Sequence, residues 1–165
     1  MAGADDLDAL YDASYRRLVV QMFAICGDLR DAEDAVQDAF VTAIRKRRDL
    51  ARVANREAWL RTVALNRLRA GWRHAAVVRK YQPAVPGPQA AVEVGPEHVA
   101  IVAALAGLDP DQRQVVVLHY LADLGTAAIA LELGVAEGTV KSRLARARGR
   151  LGRLLDDKEE EQRHA

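Results

Sequence analysis

Residues 137–148 read Glu137-Gly-Thr-Val-Lys-Ser-Arg-Leu-Ala-Arg-Ala-Arg148, and this stretch predicts a helix with three different faces. One face is apolar at helical spacing and would lie in the core of a small domain: Val140, Leu144, Ala147 and Leu151. The opposite face carries small residues: Ser142, Ala145 and Gly149. Basic side chains flank that strip: Lys141, Arg143, Arg146, Arg150 and Arg153. Small residues admit a helix to a major groove, and flanking cations reach phosphates or guanine edges, so this pattern favours DNA reading.

The residues before this helix complete a helix-turn-helix pattern. A short helix is predicted from Thr126 to Leu133, and Gly134-Val135 makes the turn. Asp109-Pro110 is a strong start for an earlier helix, since Asp suits the N-cap and Pro the first helical position. With a short apolar helix from about Glu97 to Ala106, residues 97–155 predict one small helical domain. We expect the acidic residues 156–165 to form a solvated, frayed tail.

The N-terminal half predicts a second all-helical domain over residues 1–80. Three helices are expected, from about Asp5 to Cys26, Asp31 to Arg47 and Asn55 to Lys80. The second has a predicted core stripe of Ala32, Val36, Phe40, Ala43 and Ile44, and an outer face of Asp34, Asp38, Val41 and Arg45. Residues 81–96 hold four of the five prolines and no basic residue, which predicts a flexible linker. The predicted fold class is therefore all-α, with two small domains.

Composition limits the cellular setting and the partners. The 165 residues hold one cysteine and 50% hydrophobic residues, and no apolar run approaches the roughly 20 residues of a membrane helix. We therefore expect a cytoplasmic protein that is not inserted in a membrane. The net charge is +1, but residues 51–82 hold eight basic side chains and one acid, and residues 136–155 hold six and one. Two basic blocks suggest two contacts with one polyanion, although charged helix faces are also common on solvated helices.

Nothing in the chain predicts catalysis. The four histidines lack the spacing of metal ligands, and there is no glycine-rich phosphate loop or nucleophile elbow. We expect no enzyme activity, no metal and no cofactor.

The chain resembles an extracytoplasmic-function sigma factor, a two-domain bacterial transcription initiation factor, over about Leu7 to Leu155. Two N-terminal segments carry this resemblance: Asp31-Ala-Glu-Asp-Ala-Val-Gln-Asp-Ala-Phe40 is similar to the family's polymerase-docking helix, and Ala58-Trp-Leu-Arg-Thr-Val-Ala-Leu-Asn66 to its −10 segment. Two C-terminal segments resemble its −35-reading domain: Leu108-Asp-Pro-Asp-Gln-Arg-Gln-Val-Val-Val-Leu-His-Tyr-Leu121 and residues 137–148. The resemblance implies two helical domains, called regions 2 and 4.

The resemblance also implies roles for individual residues. The clamp helices of the polymerase β′ subunit would meet Asp31, Asp34, Gln37 and Asp38. The −10 element would contact Arg56, Arg61, Asn66, Arg67, Arg69 and Arg73, with Asn66 holding a flipped base and the loop from Val53 to Arg56 closing over it. The −35 element would contact Thr139, Lys141, Ser142, Arg143 and Arg146. The helix at Val115 to Leu121 would support a contact with the β flap, and an anti-sigma factor is a further partner that the family allows.

Two positions depart from the family pattern, and two other protein classes remain open. Thr126-Ala-Ala-Ile129 lacks the acid of a capping box, and Ala136 replaces a common N-cap residue, which puts the rigidity of the helix-turn-helix in doubt. A two-component-type regulator would share the helix-turn-helix, but the first eighty residues lack its alternation of strands and helices. An anti-sigma or adaptor protein would explain the acidic second helix but not two basic blocks.

Overall fold

The computed structural model describes residues 5–78 and 92–164, and every regular element in these ranges is an α-helix. The first unit, Met1–Glu93, contains α1 (Asp5–Cys26), α2 (Leu29–Arg45), α3 (Arg47–Leu50) and α4 (Arg56–Val78). The second unit, Val94–Ala165, contains α5 (Pro96–Leu105), α6 (Pro110–Tyr120), α7 (Thr126–Leu133) and α8 (Glu137–His164). The predicted all-α class is confirmed. Within the described ranges, no helix combines the length and the apolar content that crossing a bilayer would require.

The core of unit 1 lies between α1, α2 and α4. Its largest fully buried side chains are Leu18, Met22, Ile25, Leu60 and Leu65. α2 begins at Leu29, two residues before the predicted start, because the Asp28 carboxylate accepts hydrogen bonds from the backbone amides of Arg30 and Asp31 at 2.9 and 3.0 Å. The predicted Asn55 cap of α4 is confirmed, since its side-chain oxygen accepts from the Ala58 amide at 2.9 Å.

The outer end of α2 differs from the prediction. Ile44, assigned to the core stripe, is 58% exposed, whereas Ala32, Val36, Phe40 and Ala43 are buried as predicted. α2 ends at Arg45, and the chain turns at Lys46 into α3, whose Leu50 is buried instead. Ile44 therefore lies on the surface of unit 1.

The core of unit 2 confirms the predicted helix-turn-helix. Val140, Leu144 and Ala147 of α8 are buried together with Ile129 of α7 and Leu118 of α6. The turn after α7 depends on Gly134, whose φ of 66° is in the left-handed region that glycine adopts without strain. α8 therefore presents three of the four predicted stripe residues to this core, and the fourth, Leu151, is half-exposed.

The predicted end of the last helix is wrong, and the predicted linker is mostly untested. α8 continues to His164, nine residues beyond the predicted end, since residues 156–163 contain neither Gly nor Pro and are mostly good helix formers. Residues 81–91 of the predicted linker lie outside the described residues. Residues 92 and 93 belong to unit 1, because the Val92 amide donates to Glu33 Oε1 at 2.6 Å and Arg16 Nη2 donates to the Glu93 carbonyl at 3.2 Å.

Candidate nucleic-acid interface

The outer face of α8 presents a narrow set of polar side chains beside small residues. Lys141, Ser142, Ala145 and Arg146 are exposed, and Thr139 is half-exposed. Ser142 Oγ donates to the Thr139 carbonyl at 3.1 Å, and Lys141 Nζ lies 3.5 Å from Glu137 Oε1. Arg146 has no hydrogen-bond or ion-pair partner among residues 5–78 and 92–164. This face can therefore offer a hydroxyl and two cations to a groove without breaking contacts with the core.

Other arginines of α8 are held against α6 and its flanks. Arg143, predicted to enter the groove, has a side chain only 23% exposed, and its Nη2 lies 3.3 Å from Asp111 Oδ2. Arg150 Nη1 lies 3.6 Å from Asp109 Oδ1. Arg148 Nε donates to the Tyr120 hydroxyl at 2.9 Å. These three side chains orient α8 within unit 2, and Arg143 in this pose does not point its charge freely to solvent.

A contact between the two helix starts replaces the missing capping box of α7. The N-cap residue is Gly125, which has no side chain that could accept hydrogen bonds from the first amides of α7. Instead, Thr126 Oγ1 donates to Glu137 Oε1 at 2.7 Å, across the turn. The Thr126 hydroxyl, and then the charge of Lys141, lower the pKa of Glu137. The turn is therefore fixed by a side-chain pair rather than by a local cap.

The solvent-facing side of α4 combines an aromatic ring and an amide. Trp59 and Val63 are half-exposed, and Asn66 is exposed one helical turn further along. Asn66 has no hydrogen-bond partner within the described ranges, so its amide can both donate and accept towards a ligand. The half-exposed ring of Trp59 adds a flat surface for stacking.

Arg61 does not fit its predicted role at the DNA backbone. Its side chain is 4% exposed, Nε donates to Gln21 Oε1 at 3.2 Å, and Nη2 lies 3.9 Å from Glu57 Oε1. Glu57 also accepts two hydrogen bonds from Arg17 of α1, at 2.9 and 2.5 Å, and these lower its pKa. Arg61 thus joins α4 to α1 inside unit 1, and the prediction that it contacts phosphates is wrong for this structure.

Two other predicted DNA-binding arginines of unit 1 are paired with carboxylates at the surface. Arg56 pairs with Asp6 of α1. Arg67 Nε donates to Asp38 Oδ2 of α2 at 2.5 Å. Arg69 is half-exposed, and the side chain of Arg73 lies outside the described part of the chain. The basic block of unit 1 is therefore less available to a polyanion than its charge count suggests.

The outer face of α2 is acidic along one edge and apolar along the other. Asp31, Asp34 and Gln37 are exposed, and Asp38 is half-exposed, as the sequence predicts for these positions. Beside them, a shallow cavity of about 320 Å³ is lined by Leu7, Asp8, Tyr11, Gln37, Phe40, Val41 and Ile44. Helical spacing placed Val41 on this outer face but did not predict the apolar edge that it forms with Tyr11 and Ile44. Tyr11 is 41% exposed and Val41 43% exposed, which is typical of a protein-binding face.

The described residues offer neither a cluster of metal ligands nor an activated thiol. No group of three or more His, Cys, Asp or Glu side chains is close enough there to hold a metal ion. Cys26 is largely buried, and burial raises the pKa of its thiol to about 11, so it is a poor nucleophile at neutral pH.

Comparisons with known proteins agree with this geometry. Residues 10–77 match the family model described as sigma-70 region 2, and residues 98–151 match the model described as sigma-70, region 4. The chain is 38% identical over 145 residues to the ECF RNA polymerase sigma factor SigL of Mycobacterium tuberculosis, covering 82% of this chain and 81% of SigL. It is 40% identical over 129 residues to SigM of the same organism, and this match spans 76% of the chain but only 64% of SigM.

Two solved structures share the fold. The sigma factor RpoE in complex with the anti-sigma factor NepR, from Bartonella quintana, aligns with a TM-score of 0.75 and 26% identity over 93% of this chain and 98% of that chain. CnrH in complex with the cytosolic domain of CnrY aligns with a TM-score of 0.68 and 25% identity over 94% of this chain and 91% of that chain.

Proposed function

Because the chain belongs to the extracytoplasmic-function family of RNA polymerase sigma factors, we propose that it binds core RNA polymerase and directs transcription from promoters with −35 and −10 elements. The observation that carries this proposal is the order of the two family regions. The region 2 match falls in unit 1, and the region 4 match falls in unit 2.

Unit 2 would read the −35 element as intact duplex. Lys141, Ser142 and Arg146 form the exposed polar group of α8, and the small side chain of Ala145 beside them permits close approach to base edges. Thr139, at the start of the helix, would contact a phosphate or base from its half-exposed position. Arg143 would act by holding α8 to α6 through Asp111.

Unit 1 would open and hold the −10 element. Asn66 would pair with the edge of a base flipped from the duplex, and the half-exposed ring of Trp59 would stack against an unpaired base. Arg56, Arg67, Arg69 and Arg73 would hold the backbone of the strand, with Arg56 and Arg67 first leaving Asp6 and Asp38. Arg61 is left out of this set because it is buried.

The outer face of α2 would dock on the β′ clamp helices. Its carboxylates and the neighbouring exposed Tyr11, Val41 and Ile44 offer charge and apolar area together. On α6, Val115 to Leu118 are buried, so this segment would support a flap contact only by shaping unit 2. An anti-sigma factor would be a further partner, because the solved RpoE structure contains the anti-sigma factor NepR.

Reconstitution with purified core polymerase tests the proposal. We expect the chain to co-purify with core enzyme and to give discrete run-off transcripts on fragments of its own genome, while core enzyme alone gives none. Tight, promoter-selective DNA binding by the chain alone, without transcripts from the reconstituted enzyme, would contradict the proposal and favour a plain DNA-binding regulator.

A further inference from the structure

We propose that Asp38 couples the polymerase-binding face to the DNA-binding face of unit 1, an inference that rests on the proposed function. In the free protein the Asp38 carboxylate holds Arg67. Docking of polymerase on α2 engages Asp38 and releases Arg67 to the promoter. Polymerase and DNA would then each strengthen the binding of the other.

The Asp38 carboxylate belongs to the proposed polymerase-binding face and also contacts the proposed DNA-binding face. Asp38 lies on the outer side of α2 with Asp34 and Gln37, the side proposed to meet polymerase. Its Oδ2 accepts from Nε of Arg67, which follows Asn66 on the neighbouring helix α4. The side chains of Asp38 and Arg67 are 49% and 59% exposed, so either can leave the pair for an external partner.

Electrostatics decides the sign of the coupling. A phosphate that approaches Arg67 meets the negative charge of Asp38 beside it, and Nε is already donating to the carboxylate. A cationic group of polymerase that pairs with Asp38 removes both obstacles. By thermodynamic linkage, the factor by which polymerase raises DNA affinity equals the factor by which DNA raises polymerase affinity. For an exposed ion pair this factor is roughly two- to fivefold.

Binding of the whole free chain to DNA gives the first test. The probe is a fluorescein-labelled single-stranded DNA 20-mer of mixed sequence, read by anisotropy. Asp38→Asn should bind about two- to fivefold more tightly than the matched control Asp12→Asn. Asp12 is an exposed acid on α1 without a partner in the described ranges, so both variants change the net charge equally. Equal affinities of the two variants would overturn the proposal.

Asp38→Asn could bind DNA more tightly because Arg67 is released or because a negative charge near the DNA is lost. A second variant distinguishes these two explanations. In an Arg67→Ala background, Asp38→Asn and Asp12→Asn should bind the probe equally, because no arginine remains to be released. A persistent advantage of Asp38→Asn in that background would overturn the proposal, since it would show simple repulsion of DNA by Asp38.

Binding to core polymerase tests the reciprocal effect. Arg67→Ala should raise affinity for purified core enzyme in the absence of DNA, by up to about fivefold, because Asp38 no longer has to leave a partner. Unchanged or weaker affinity of Arg67→Ala would overturn the coupling alone. Absence of any binding between wild-type chain and core enzyme would instead overturn the proposed function.

Discussion

α4 of unit 1 and α8 of unit 2 are both rich in arginine, but they use it differently. On α4, Arg61 is buried against Gln21 and Glu57, and Arg67 pairs with Asp38 of a neighbouring helix. On α8, three arginines pair with α6 or its flanks near the surface, and Arg146 is exposed without a partner in the described ranges. The number of basic residues in a sequence block is therefore an upper limit on the charges that can contact a polyanion. Pairing with neighbouring helices lowers that number.

The largest expected effect comes from removing the buried guanidinium of unit 1. Arg61→Ala should lower the free energy of unfolding by about 2–4 kcal/mol, because it leaves Gln21 buried without its donor and opens a cavity. Urea denaturation followed by circular dichroism measures this change. Arg146→Ala is the control and should stay within about 0.5 kcal/mol of wild type. A fully stable Arg61→Ala with weaker DNA binding would show that Arg61 faces the solvent.

A smaller effect is expected at the exposed amide of α4. Asn66→Ala should weaken promoter opening by about 1–3 kcal/mol, since a well-placed base contact is lost. Binding to closed promoter should change little, because the base is still paired in the duplex. Permanganate footprinting of melted thymines measures opening, and filter binding on the same promoter measures the closed complex. Normal melting with unchanged −10 preference would remove Asn66 from the proposed site.

In unit 2, replacing Arg143 should affect stability, whereas replacing Arg146 should affect DNA binding. Arg143→Ala should lower the free energy of unfolding by up to about 1 kcal/mol, through loss of its partly shielded pair with Asp111. Arg146→Ala should leave stability unchanged and weaken binding of the holoenzyme to the −35 duplex. The two measurements are urea denaturation and filter binding. The opposite assignment would mean that Arg143, and not Arg146, enters the groove.

The smallest effect concerns the pH dependence of unit 1. Hydrogen bonds from Arg17 lower the pKa of Glu57 in the folded protein, so its stabilisation is present above the unfolded pKa, near 4.3, and is lost as pH falls through the lower folded value. At pH 7 the free energy of unfolding of wild type should exceed that of Glu57→Gln by less than about 1 kcal/mol, and this difference should narrow as pH falls below the unfolded pKa and through the lower folded one. Urea denaturation at pH 7, 5, 4 and 3.5 measures this difference between the two proteins. A difference that stays constant over the series would show that the ion pair does not cause it.

Much of the fold could be predicted because it depends on local spacing. The stripe of Val140, Leu144 and Ala147, the cap at Asn55 and the glycine turn at Gly134 each follow from residues a few positions apart. The all-α class and the helix-turn-helix follow from them.

The parts that could not be predicted depend on partners far along the chain. Arg61 and Arg67 lie on the same helix. The buried Arg61 donates to Gln21, 40 residues away, and the exposed Arg67 donates to Asp38, 29 residues away. Ile44 fits the apolar spacing of α2, and only the turn into α3 leaves it outside the core. For the site, the sequence predicted the outer faces of α2 and α8, but it did not predict which arginines pair with other residues of the chain.

The pairing of Arg67 with Asp38 also changes the ion balance of DNA binding. A free cation such as Arg146 that binds a phosphate sends condensed counterions into bulk solution, which lowers the logarithm of affinity by about 0.9 per tenfold rise in salt. When Arg67 of the free chain transfers from Asp38 to a phosphate, the exposed carboxylate attracts cations from solution, which offsets part of that release. The contact made by Arg67 should therefore depend less on ionic strength than the contact made by Arg146.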